Sequence, residues 1–82
     1  MQLLSRVPVG KPVTVTELST ESNIRRRLLD LGFTPGTPLT CLFSAPGGNP
    51  RAYRIHETVI ALRNADADSI CTLPKEHGWV RP

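Results

Sequence analysis

The segment Arg25–Pro50 reads RRRLLDLGFTPGTPLTCLFSAPGGNP, and it restricts the fold more than any other part of the chain. Gly32 predicts the end of a helix, because glycine readily adopts the left-handed conformation that ends many helices. Pro35-Gly36 predicts a type II turn, since proline suits its second position and glycine its third. Pro46-Gly47 predicts another such turn after an intervening strand. Signals this close together leave room only for short elements.

The length of 82 residues is that of one small domain. We expect this domain to span residues 1–74 and a flexible tail to occupy residues 75–82. A chain of this size buries roughly 60–65% of the surface that its unfolded form exposes, so a deep enclosed active site is not expected. Eight prolines and six glycines favour short strands and tight turns over long helices.

The net charge of +3 is mild, and its one cluster is Arg25-Arg26-Arg27. Such a balance is common in small proteins that bind no nucleic acid, so no nucleic-acid partner is expected. No apolar run approaches the roughly 20 residues of a membrane-spanning helix, and no secretion signal is visible at the N-terminus. Two cysteines without a signal favour reduced thiols. We therefore expect a soluble cytoplasmic protein that does not insert into a membrane.

A strand is predicted over residues 12–18, followed by a helix capped by Ser19 or Ser22 that runs to Leu31. The residues expected on its core-facing stripe are Ile24, Leu28 and Leu31. If Gly32 is the first residue past the helix, Phe33 can contact Leu28 in a Schellman cap. The positions expected to be structural are Gly32, Phe33, Pro35 and Gly36.

The sequence predicts four further short strands after the helix. They are predicted at residues 38–44, around Tyr53 and Ile55, at 59–63 and at 70–73. Leu39, Cys41 and Phe43 are expected to point inward. Asn64 is expected to cap a short helical turn. Five short strands with one helix between the first two indicate a mainly β fold, either a small barrel or two packed sheets.

These residues resemble the ferrous iron transport protein A (FeoA) family. The matching pieces are Arg25–Leu28, Leu31–Phe33, Pro35–Thr37, Ala45–Pro50, Ile60–Arg63 and Ala67–Ile70. Their order and spacing also agree, over roughly Gly10 to Leu73. No single piece is decisive, but the ordered set is specific.

The resemblance implies an SH3-like five-stranded β-barrel. It also implies an accessory role beside FeoB, a membrane ferrous iron permease with a GTP-binding domain, whose transport or GTPase activity the protein would modulate. Transition-metal binding is often attached to the family, and no agreed catalytic residues exist to transfer. Many members have glycine in the turn that here reads Ile55–Thr58, which leaves a longer or bulged hairpin open.

The candidate metal ligands are Cys41, Cys71, His56 and His77. None lies in a spacing typical of zinc sites, and a structural zinc normally needs four converging ligands. We expect neither a dedicated metal site nor a cofactor. Weak transition-metal binding through carboxylates or histidines stays open.

Enzymatic activity is not expected, because no nucleophile, base and orienting group can be brought together from the sequence. Asp66 and Asp68 are predicted to lie in a surface turn. Tyr53, between Arg51 and Arg54, is the one aromatic–basic combination suited to base stacking, but it more readily fills the core. A free-standing metal-binding or nucleic-acid-binding barrel is therefore the alternative function.

Protein–protein contact is the remaining function class. Leu29 with Arg25 and Arg26 is predicted to form a small partner-binding surface, because arginine is favoured at interfaces. Alternatively, Leu29 packs against Leu3 or Leu4. Trp79 in the tail is a second candidate for partner binding.

Overall fold

A computed structural model describes residues 2–18 and 22–75 of the chain, so Ser19, His77 and Trp79 lie outside the described residues. The strands are β1 Gln2–Leu3, β2 Pro12–Leu18, β3 Pro38–Ser44, β4 Arg51–Ile55, β5 Thr58–Leu62 and β6 Ile70–Pro74. The α-helices are α1 Ser22–Leu31 and α2 Asn64–Ala67, and short 3-10 helices cover Leu4–Arg6 and Pro46–Gly48. The five strands predicted from the sequence are thus present, and the helix ends where it was predicted to end.

The sheet differs from the prediction at its ends. Its order within the described residues is β1-β6-β2-β3-β4-β5, with every neighbouring pair antiparallel. The short strand β1 was not predicted, so α1 lies between the second and third strands rather than the first two. Strands β1 and β5 are the two edges, and no ladder joins them within the described residues. The fold is therefore a mainly β sheet around one core, in which a side chain of β4, not a strand ladder, holds the segment that follows β1.

That side chain is Arg51. Its guanidinium donates hydrogen bonds to the backbone carbonyls of Leu4, Ser5 and Val7, which follow β1 directly. Arg51 is buried, as are Leu4 and Val7. A planar guanidinium can reach several carbonyls at once, which suits it to joining two segments.

The end of α1 has the predicted Schellman geometry. Gly32 has φ +112°, its N–H donates to the Leu29 carbonyl at 3.0 Å, and the Phe33 N–H donates to the Leu28 carbonyl at 3.0 Å. Phe33 and Leu28 both belong to the buried core cluster. The cap therefore satisfies carbonyls that the helix leaves open and returns an aromatic ring to the core.

The predicted helix face differs from the structure at two positions. Leu31 is exposed, whereas Leu29, which was not among the residues expected on the core-facing stripe, is half-buried against the core. Leu31 precedes the chain reversal at Gly32, and Phe33 fills the core at this end of the helix. A helical wheel assumes the same geometry along the whole helix, so it cannot account for the chain reversal that follows Leu31.

Phe43 was predicted to point inward with Leu39 and Cys41, and this was also wrong. Leu39 and Cys41 are buried, but Phe43 is 59% exposed. The register between β3 and β4 shifts between Cys41 and Phe43, which is a β-bulge. A bulge inserts one extra residue and so reverses which face the following side chains occupy.

The predicted type II turns are confirmed. Gly36 has φ +93°, and the Thr37 N–H donates to the Thr34 carbonyl at 3.0 Å. Gly47 has φ +86° and ψ −4°, the values expected at the third position of a type II turn.

The β4–β5 hairpin is not the longer or bulged hairpin that the absence of glycine had left open. Ile55 pairs with Thr58, so the loop holds two residues, His56 and Glu57. His56 has φ +57°, the one positive value at a non-glycine residue in the described part of the chain. His56 thus adopts a conformation that glycine would adopt at lower cost.

Asn64 does not cap α2 as predicted. Arg63 occupies the cap position, and the Asn64 N–H donates to Asn49 Oδ1 at 2.9 Å. The Asn64 Nδ2 donates to the Gly48 carbonyl at 2.9 Å. The side chain therefore ties the loop after β3 to the start of α2.

Candidate functional site

The interior holds a polar pair, Arg51 and Tyr53, that faces the same side of β4. The guanidinium carbon lies 5.8 Å from the centre of the Tyr53 ring, and the Tyr53 hydroxyl donates to the Leu4 carbonyl at 3.4 Å. Burial raises the pKa of Tyr53 to about 12, although the positive charge of Arg51 acts in the opposite direction. This pair is a structural element that holds the β1 end of the sheet.

The same burial removes the predicted aromatic–basic combination from the surface. The Tyr53 ring is fully buried and Arg51 is 8% exposed, which leaves Arg54 as the exposed member of the three. A buried ring cannot stack on a nucleic-acid base. The feature that favoured a nucleic-acid interface is therefore part of the core.

The outer side of α1 presents the predicted arginines. Arg25 and Arg26 are both exposed, and Leu29, one turn after Arg25, is half-buried. Leu29 packs against the core cluster, so only part of its side chain is available to a partner. None of the helices in the described residues is long and apolar enough to cross a membrane.

The acidic residues near α2 are not alike. Asp66 was predicted to lie in a surface turn but is buried, with Oδ2 3.8 Å from Arg27 Nη2 and 3.9 Å from Arg63 Nε. Asp68 is exposed and accepts a hydrogen bond from the Ser5 hydroxyl. These contacts attach α2 to α1 and to the segment after β1.

The candidate metal ligands do not converge. Cys41 is buried, and its Sγ donates to the Phe43 carbonyl at 3.7 Å, while Cys71 is half-buried on β6. His56 lies in the β4–β5 turn. Within residues 2–18 and 22–75, no group of three or more His, Cys, Asp or Glu could hold a metal ion.

A shallow cavity of about 220 Å³ lies beside β2, β3 and β4. Its lining residues are Pro12, Pro38, Leu39, Thr40, Arg54, His56 and Lys75. The ionisable side chains among them, Arg54, His56 and Lys75, are basic. The cavity suits a small anionic group, but it has no residue arrangement that indicates a reaction.

A protein-family model described as the FeoA domain matches residues 2–72. The chain belongs to the FeoA family. The names of the similar proteins described next associate those proteins with ferrous iron transport. A curated relative from Porphyromonas gingivalis, an Fe(2+) transport protein A/Fe(2+) transporter FeoB fusion protein, is 31% identical over 67 residues. That match covers 82% of this chain but only 8% of the fusion protein.

Solved structures agree with this assignment. The FeoA protein of Chlorobium tepidum is 30% identical with a TM-score of 0.84, and the match covers 96% of this chain and 81% of that one. Stenotrophomonas maltophilia FeoA, solved with zinc, is 29% identical with a TM-score of 0.78, over 88% and 89% of the two chains. It is described as a prokaryotic SH3 domain protein and a candidate activating factor of ferrous iron transport. The predicted SH3-like fold is thereby confirmed.

Sequence reasoning missed the role of Arg51. Arg51, Tyr53 and Ile55 alternate along β4, and all three are buried. The alternation was visible in the sequence, because side chains two apart on a strand share a face. The burial of Arg51 was not inferred from this alternation, because arginine is rare at core-facing positions unless it has partners.

Proposed function

We propose that this protein is a non-enzymatic, cytoplasmic accessory protein of ferrous iron uptake that binds the permease FeoB and modulates its transport or its GTPase domain. The observation that supports this is the relative in which a FeoA sequence and FeoB form one polypeptide. Fusion gives two domains a high effective concentration for each other, which is useful when their separate forms act together. The names of similar FeoA proteins, which refer to ferrous iron transport, agree with this role.

The surface proposed for the contact is the outer side of α1, with Arg25, Arg26 and the exposed part of Leu29. Both arginines are solvent-exposed, and neither makes an ion pair within the described residues. Planar, weakly hydrated guanidinium groups suit a contact with acidic residues of a partner. Trp79, in the tail, is the second proposed contact residue.

Binding of the purified protein to its cognate FeoB in detergent or nanodiscs tests the proposal. We expect saturable binding, together with a change in GTP hydrolysis or iron transport when the protein is added. The double variant R25E/R26E should bind at least about tenfold more weakly, because attraction becomes repulsion at the contact.

The matched control is K11E/R54E, which changes the net charge equally at two exposed residues that are not part of α1. Equal loss in both double variants would mean that overall charge, not the α1 surface, governs binding. Absence of any binding by the unchanged protein would remove the proposed function itself.

We further propose that the protein works without a resident metal or cofactor. The described residues lack a group of ligands that could hold one, although a relative was solved with zinc. Elemental analysis after desalting should find iron and zinc far below one atom per chain. Stoichiometric retained metal would overturn this part of the proposal.

A further inference from the structure

Strand β5 is an edge strand with an open side. It pairs with β4 and with no other strand among the described residues. Its five residues, Thr58-Val59-Ile60-Ala61-Leu62, are uncharged and contain no proline. Natural proteins usually protect an edge with charges, proline, a bulge or a short length, and β5 has none of the first three.

The backbone groups on the open side belong to Val59 and Ala61. In a two-residue hairpin the flanking pair, Ile55 and Thr58, exchanges both hydrogen bonds, and bonding then alternates along the ladder. Ile60 and Leu62 therefore bond to β4, while the N–H and C=O groups of Val59 and Ala61 point away from it. No backbone partner for them occurs within residues 2–18 and 22–75. Both side chains are also exposed.

We propose that two copies of this chain associate by antiparallel pairing of β5 with β5, about a two-fold axis at Ile60. In this register Val59 of one copy and Ala61 of the other form hydrogen-bonded pairs on both sides of the axis. The two Ile60 residues face each other as a non-bonded pair, which brings their half-buried side chains close together.

Charges at the ends of β5 select this register. Glu57 and Arg63 lie three residues on either side of Ile60, and both are exposed. The two-fold axis at Ile60 therefore places Glu57 of each copy opposite Arg63 of the other. Two-fold registers centred on Val59 or Ala61 also use the open backbone groups, but they leave these charges without this pairing. Opposite charges directly across a strand pair are stabilising, and like charges are destabilising.

The pairing ends at two copies. The other edge, β1, is only two residues long, and the segment after it is held by Arg51. A contact in which the same strand is used by both partners is closed, so no fibre follows from it. The buried surface is small, and we therefore expect a weak dimer that forms with rising concentration. This association is independent of the proposed binding to FeoB.

Sedimentation and amide NMR spectra of the full chain over a wide concentration range test the proposal. We expect a monomer–dimer equilibrium in which the Val59 and Ala61 amide signals shift with concentration and those of Ile60 and Leu62 shift less. The Ala61 N–H does not bond to β4, so A61P should remove the association while β4–β5 pairing persists. A chain that stays monomeric at millimolar concentration overturns the proposal.

Charge variants test the register without removing any backbone group. E57R and R63E should each weaken association about tenfold, because two opposite-charge pairs become like-charge pairs. An equimolar mixture of E57R and R63E should restore it. In the mixed pair, one chain carries a positive charge at both ends of β5 and the other carries a negative charge at both ends. Restoration cannot arise from misfolding of either variant.

Failure of the mixture to associate would show a different register or a different surface, and it would overturn the proposed pairing. Concentration-dependent shifts confined to residues outside β5 would do the same. Restored association of the mixture, together with the Val59 and Ala61 shifts, would establish it.

Discussion

The two edges of the sheet differ in length and in the contacts that support them. The β1 edge is two residues long, and the segment that follows it is joined to β4 by the buried guanidinium of Arg51. The β5 edge is five residues long and uncharged, and among the described residues no strand pairs with its outer side. One edge is thus closed within the chain, while the other offers its backbone groups outward.

This difference separates an edge that stabilises the fold from an edge that we propose for contact with a second copy. A chain of 82 residues has a thin core, so it cannot leave both edges unsupported. The buried polar pair Arg51–Tyr53 supports one edge from inside. The other edge remains available for pairing, and the following variants separate the two roles.

The largest expected effect comes from R51M. It removes the guanidinium donor from the carbonyls of Ser5 and Val7 and one of several donors from the Leu4 carbonyl, so the free energy of unfolding should fall by roughly 3 kcal/mol or more. The control is R54M, at an exposed position on the same strand, which should change stability by less than about 0.5 kcal/mol. Urea unfolding measures both. Equal losses in R51M and R54M would show that Arg51 does not stabilise the fold by holding the segment after β1.

The next effect is a loss of stability at high pH. Because burial raises the pKa of Tyr53 to about 12, the folded state retains a proton that the unfolded state loses near pH 10. The contribution is complete below pH 10 and falls by roughly 2–3 kcal/mol as the pH rises towards 12. Tyr53 is the one tyrosine in the chain, so its ultraviolet absorbance follows this ionisation directly. Y53F should lack this part of the pH dependence.

A smaller effect is expected at Gly32, which lies against the turn that leads into β5. A Cβ atom placed there would lie 3.3 Å from His56 Cδ2, and φ is +112°. G32A should cost about 1–2 kcal/mol by thermal unfolding. G36A has a similar positive φ but open space, so it measures the backbone part alone. A G36A loss larger than that of G32A would contradict the contact with His56.

The smallest effect is a gain in stability from H56G. His56 has φ +57° at the first position of a two-residue loop, where glycine is preferred. Relief of this strain should raise the free energy of unfolding by up to about 1 kcal/mol, without altering the β1 end. E57G changes the neighbouring loop residue, which lacks this positive φ, and should not stabilise the protein. A stability loss in H56G would show that the histidine side chain contributes more than its backbone costs.

The regular elements could be predicted from the sequence, because local signals specify them. The Gly32 cap and the Pro35-Gly36 turn follow from backbone preferences that act over a few residues. The faces of Leu31 and Phe43 could not be predicted in the same way. One depends on the chain reversal after α1, and the other on the bulge between Cys41 and Phe43.

The residues of the candidate sites also differ in whether local sequence patterns could predict their exposure. The exposure of Arg25 and Arg26 follows from the helical pattern, and the structure agrees with it. The burial of Asp66 and the removal of Arg51 from the surface depend on contacts between distant segments. Such contacts leave only a weak trace in local sequence patterns.

The sequence by itself determined where the chain turns and which stretches are strands, because glycine, proline and alternating apolar residues act locally. It also determined the family to which the protein belongs, through the order and spacing of its short motifs. Only the tertiary structure decided that Arg51 joins the segment after β1 to β4, and that β5 has no partner strand on its outer side among the described residues. Those outcomes depend on which strands become neighbours, and strand order is set by the packing of the whole chain around one core.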